Sequence, residues 1–139
     1  MKRFVKIRKA IALAMCMTFV LALFSACADD SDPRDGYVGS YRVSEKVVGV
    51  TIDDYNITIT KSSVSSTDII ISNFWGVAGW SVNATVNGNN FVINQQTYLI
   101  YGASGSGRKD GNTLYYSTLV TQSGSGGGQL STESTAVKQ

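Results

Sequence analysis

From Tyr37 onward, apolar residues recur at every second position and never at sustained helical spacing. Such a segment can bury a surface only as β-strands that each turn one face to a core. Tyr41, Val43 and Val47 alternate with Ser40, Arg42, Ser44 and Lys46, and Tyr55, Ile57 and Ile59 with Asn56, Thr58 and Thr60. Asp68 to Phe74 is a β-branched run. Trp80, Val82, Ala84 and Val86 alternate with Ser81, Asn83, Thr85 and Asn87. Further strands are predicted at Phe91–Ile93, Tyr98–Gly107, Thr113–Thr121 and, closing the set, Gln129–Val137. Asn87-Gly88 and Asp110-Gly111 are hairpin signals, because both residues of such a turn tolerate positive φ. With these pairs at the tips, Ala84 faces Phe91, Val82 faces Ile93, Leu114 faces Gly107 and Tyr116 faces Gly105. Apolar sets then share one face, and large residues lie beside glycines.

Short sequential strands joined by hairpins predict an all-β antiparallel up-and-down meander of seven or eight strands that closes into a barrel. A β-sandwich is the alternative. Closure removes exposed sheet edges. The Ser123–Gly128 run is linker-like, so the stretch after Thr121 reads as a partly flexible tail.

The first nine residues hold five of the chain's 12 Lys+Arg, and Ala10 to Phe24 carries no charge. That run is too short for comfortable spanning, which takes about 20 residues. It has the flanks of a signal peptide, here residues 1–26. A cut before Cys27 leaves all 10 Asp+Glu but only seven of the 12 Lys+Arg, turning the formal +2 into −3. The basic balance belongs to the leader and is no argument for nucleic-acid binding. Residues 27–36 read as a flexible acidic tether and 37–139 as one domain.

Leu23-Phe24-Ser25-Ala26-Cys27, followed at once by polar residues, resembles a bacterial lipobox. The resemblance implies that the Cys27 thiol is lipidated, that the leader is removed, and that the chain is held in the outer membrane, facing the cell surface or the periplasm. Each buried CH₂ of an acyl chain contributes about 0.8 kcal/mol to such an anchor. A second resemblance rests on Val38-Gly39-Ser40-Tyr41-Arg42-Val43, which is similar to the Gly-x-aromatic opening of calycin (lipocalin-like) barrels. Ile71-Ser72-Asn73-Phe74-Trp75-Gly76, Val82–Val86 and Ile93-Asn94-Gln95-Gln96 resemble small Bacteroidetes-type lipoproteins with such barrels. It implies a lipocalin-like fold.

Chemistry is sparse. The chain has no His, and Cys16 leaves with the leader. No Ser-His-Asp or Cys-His set can be built, and zinc would lack its nitrogen and sulfur ligands. No cofactor and no enzymatic activity are expected; a carboxylate-based hydrolase is the weakest reading. Alternation places Glu45 on the face of Tyr41 and Val43. An unpaired carboxylate in a barrel interior is costly to ionise and would hydrogen-bond a ligand; at a rim or on a bulge it would stand in water. Trp75, Trp80, Tyr98 and Tyr101 either line a ligand site at the barrel mouth or plug it. The expected function is a non-catalytic binding module for a small apolar or glycan ligand at that mouth, with these four aromatics and Glu45 as its site. The alternative is an adaptor that docks onto an outer-membrane protein through exposed aromatics. A cavity of roughly 300 Å³ or more favours the ligand, and a filled core the adaptor.

Overall fold

A computed structural model describes residues 31–48 and 50–139; the predicted leader and Cys27 lie outside them. The described chain is a closed antiparallel up-and-down barrel. Its strands are β1 (Gly39–Val47), β2 (Val50–Thr51), β3 (Tyr55–Lys61), β4 (Asp68–Ser72), β5 (Ser81–Asn87), β6 (Asn90–Tyr98), β7 (Tyr101–Asp110), β8 (Thr113–Gln122) and β9 (Gln129–Lys138). β2 and β3 both pair with β1 and form one stave broken at Ile52–Asp54, so eight staves make the wall. Each stave pairs with the next in sequence, and β9 closes on β1 from Tyr41↔Lys138 to Val47↔Thr132. The last strand, expected at Gln129–Val137 in a stretch that reads as partly flexible, is therefore a full member of the wall. The Gly-rich run 123–128 is only its hairpin, closed by Gln122 N–H donating to Gly128 O at 2.9 Å.

Alternation survives almost everywhere. Tyr41, Val43, Ile57, Ile59, Ile69, Ile71, Val82, Ala84, Phe91, Ile93, Leu114 and Ala136 fill the interior, while their chain neighbours stand outside. An apolar inside under a polar outside is the reverse of a barrel that faces lipid.

Both glycine-led hairpins turn one residue later than the sequence reading places them. Asn87 pairs with Asn90 and Asp110 with Thr113, so Gly88-Asn89 and Gly111-Asn112 form the tips. Only the glycines have positive φ, +59° and +56°. This suits a turn with Gly at its first central position, whereas the reading had required positive φ at both. Ala84 consequently faces Ile93, Val86 faces Phe91, and Tyr116 faces Gly107. The shift moves the partners by an even step, so every side chain keeps its face. A further difference lies at β6, which continues through a bulge between Ile93 and Gln96 to Tyr98, so Leu99-Ile100 is a hairpin tip. The Gln96 amide fills the opened ladder: its Oε1 accepts from Asn83 N–H at 2.8 Å and its Nε2 donates to Asn83 O at 2.8 Å.

One pole, the base, is sealed by Tyr37 together with Asp32 and Arg34, which the sequence reading assigns to the tether. Asp32 to Tyr37 turns back on the barrel, with Asp35 N–H donating to Asp32 O and Tyr37 N–H to Arg34 O, both at 2.9 Å. The Arg34 guanidinium donates to the carbonyls of Ser62 at 3.1 Å and Ser65 at 2.5 Å, and its other edge clasps Asp32 at 2.7 Å. That clasp holds the Asp32 carboxyl well below the usual carboxylate range. Tyr37 is buried edge-on against Phe91, its hydroxyl donating to Gly88 O at 3.0 Å. An arginine can satisfy several carbonyls at once with a rigid fork. This is why the acidic stretch is folded here rather than loose.

At Gly107 the wall leaves no room for a side chain. A Cβ there would stand 2.5 Å from Tyr116 Cβ and 2.6 Å from Phe91 Cζ, whereas one at Gly128 would meet nothing. Gly107→Ala is expected to cost about 1–3 kcal/mol of unfolding free energy. Gly128→Ala is expected to stay within about 0.5 kcal/mol. Urea denaturation of the two variants checks both.

Candidate functional site at the barrel mouth

The meander sends alternate links to opposite poles. Residues 32–38, 62–67, 88–89 and 111–112 form the base, and residues 48, 50–54, 73–80, 99–100 and 123–128 form the mouth. Trp80 sits at the centre of the mouth, 2% exposed. Phe74 meets it edge-on at 5.1 Å and Trp75 edge-on at 6.3 Å; Tyr98 stacks on it at 5.6 Å and 13°, and Tyr101 lies tilted at 6.1 Å. The four aromatics singled out in the sequence therefore do come together. Trp80 presents its faces to its neighbours, and Trp75, Tyr98 and Tyr101 remain half-buried. Between Trp75, Tyr101, Val120 and Leu130 is a recess of about 190 Å³, edged by Gln122 and Gln129. The Trp75 indole N–H is buried with no hydrogen-bond partner.

Glu45 does not line this recess. It is 1% exposed inside the wall, as alternation placed it, and neither rim nor bulge turns it outward. The bulge falls on the opposing stave instead, at Ile52–Asp54 between β2 and β3. That irregularity lets Tyr55 reach across: its hydroxyl donates to Glu45 Oε2 at 3.0 Å, and Ser134 Oγ donates to Oε1 at 3.1 Å. Ser134 is the β9 partner of Glu45 in the closing ladder. Farther along the same interior stripe, Thr118 and Thr132 hydroxyls meet at 2.7 Å. Glu45 forms no salt bridge among the described residues. Its two acceptors are matched by hydroxyl donors, which is what a buried carboxyl group requires. Burial, followed by the charges of Tyr116 and Glu45, drives the Tyr55 phenol far above its ordinary value. Burial and then Glu45 do the same for Tyr116. At the base, burial pushes Tyr37 up to about 12.

A larger concavity of about 560 Å³ runs along the outer wall, between Lys46, Arg108, Tyr115 and Glu133. The Arg108 guanidinium lies 5.0 Å from the Tyr115 ring centre, so the most prominent aromatic face there already has a cation over it. Neither hollow holds two carboxylates, and no group of three acidic, His or Cys side chains converges among the described residues.

Sequence reasoning missed the backbone of the mouth. The described non-glycine residues with positive φ are Val48 (49°), Asn73 (59°), Trp75 (57°) and Leu99 (54°), and all four are in mouth links. Val47 pairs with Val50 and Tyr98 with Tyr101, so Val48 and Leu99 each take the first position of a two-residue hairpin. Gly88 and Gly111 take that position at the base with similar φ. A β-branched or bulky residue there is a true outlier, costing of order 1–3 kcal/mol. The side chains are exposed, Val48 by 83% and Leu99 by 79%. No Lys or Arg lies in any mouth link, and Asp53 and Asp54 are their only charges. In comparisons with known proteins, no protein-family model matches the chain and no curated protein matches it.

The raised phenols carry a pH prediction. A tyrosine whose value is raised on folding stabilises the fold below its unfolded value and loses that contribution as pH climbs through the folded one. Unfolding is therefore expected to begin above about pH 10, the ordinary tyrosine value. The phenolate absorbance of Tyr55 and Tyr116 should appear only together with loss of β circular dichroism. Early titration of all seven tyrosines in a folded chain would place these rings at the surface.

Proposed function

We propose that the chain is a lipid-anchored cell-envelope lipoprotein, held through Cys27 in the outer membrane, whose barrel is a non-catalytic binding module that engages its target at the mouth. The observation that supports this reading most is the contrast between the poles. The base, which the chain enters through Asp32 to Tyr37, is sealed by Arg34 and Tyr37. The mouth gathers half-exposed aromatics around a recess, in links that carry no cation.

Two targets compete. Tyr98, Tyr101 and Trp75 offer aromatic faces suited to a small apolar or glycan ligand. The recess of about 190 Å³ is below the range of drug-sized pockets, and the interior beneath it is filled. Its size favours the adaptor reading, in which an outer-membrane protein docks on the rim. Glu45 supports the mouth from beneath by holding Tyr55 and the β1–β9 closure, rather than by touching a ligand.

Cys27→Ser is expected to move the chain from the membrane fraction to the soluble one, and a chain still bound to membranes would overturn the anchor. Native mass spectrometry of that soluble variant, recovered from its own cells, should then show a bound species. Loss of that species on Trp75→Ala would place it at the mouth. Retention would place it elsewhere.

A further inference from the structure

We infer that Val48 and Leu99 are the contact points of a protein-docking rim, and that the recess beside Trp75 receives one large apolar side chain from that partner. The inference rests on the reading of the mouth as the binding pole and adds the class of target.

The argument begins with the turns. Two kinds of two-residue hairpin share one backbone demand, positive φ at the first central residue. At the base the chain meets it with Gly88 and Gly111, which adopt it freely. At the mouth it meets it with Val48 and Leu99, which do not. Glycine or asparagine in these places would relieve the strain, and neither side chain packs into the core, since both are largely exposed. Folding alone thus gives no reason for them. Strain kept at an exposed apolar position marks a site whose side chain acts on something outside the fold.

Three observations select a protein as the occupant. The first is charge. Val48, Val50, Leu99 and Ile100 are exposed apolar residues on links without Lys or Arg, and Lys46 beside Val48 is matched by its ladder partner Glu133, so an anionic lipid surface meets no excess of positive charge there. The second is position. The chain enters the barrel at the base, and Cys27 precedes Asp32 by a span of roughly 18 Å at full extension. Under the proposed anchor the tether thus joins the base, and the mouth is the pole without it. The third is size. The recess is about 190 Å³ and is walled by Trp75, Tyr101, Val120 and Leu130. That is room for one bulky side chain inside a ring of apolar contacts, the usual form of an interface hot spot.

The test uses the full-length chain in its own cells, with benzoylphenylalanine replacing Leu99 in one version and Asn89, at the base, in another. Irradiation is expected to give a covalent adduct with a different protein from position 99 and none from position 89. The captured protein is then purified and titrated against the native chain and a Val48→Asn, Leu99→Asn double variant. Asparagine tolerates positive φ. The variant should therefore unfold at a midpoint about 4 °C or more above the native one, while affinity falls at least tenfold. A lower midpoint would make the two side chains structural and overturn the inference. An adduct with a glycan, an acyl chain or a second copy of this chain would overturn the protein partner and leave the mouth as binding pole. Adducts from position 89 alone, equal adducts from both, or none from either would overturn both.

Discussion

Closure of β9 on β1 is the interaction on which the rest depends. Without it the meander would be an open twisted sheet with two long edges and a one-sided core, in a domain too small to tolerate either. The seam runs for seven paired positions, and it contains the one buried acid of the interior. Glu45 and Ser134 are partners across it in both backbone and side chain. A carboxyl group that must be satisfied inside the wall discriminates among registers, because a one-residue slip would carry it to the outside and leave Tyr55 without an acceptor. The polar stripe thus fixes where the ribbon closes, while the apolar alternation makes closure favourable.

The two poles then divide the remaining work. The base is built from groups that satisfy one another: a guanidinium on three carbonyls and an aspartate, a buried tyrosine on a glycine carbonyl, glycines at the turn positions that need them. The mouth is built the other way. Its aromatics stack and fill, yet its hairpins hold apolar side chains outward on strained backbone and leave an indole N–H without a partner. Natural sequences are locally consistent except where another demand overrides, and here the exceptions collect at one end.

Much of this was legible in the sequence because a barrel wall imposes a strict period of two. The strands, the faces and the side of the wall that Glu45 takes follow from alternation, whereas Trp75, Trp80, Tyr98 and Tyr101 stand out only as aromatics near strand ends. The hairpin tips were misplaced by one residue because Asn-Gly-Asn and Asp-Gly-Asn each contain two legitimate turn pairs, and only the backbone tells which glycine position is used. Leu99-Ile100 was invisible as a turn, since its residues favour strands and its φ is strained. Arg34 was hidden by composition: one base among four acids looks like a solvated spacer until its carbonyl partners, nearly thirty and more residues away, are known. Gly107 opposite Tyr116 was anticipated in kind, large beside small, though not in register.

Residue-resolved amide hydrogen exchange across the seam tests closure most directly. If β9 completes the wall, the amides of Val43 to Val47 and Thr132 to Ala136 that bond across it will be as protected as those joining β7 to β8, and will open only with the whole domain. Rapid exchange confined to β9 and the facing edge of β1, with β7–β8 still protected, would show an open sheet and contradict the account.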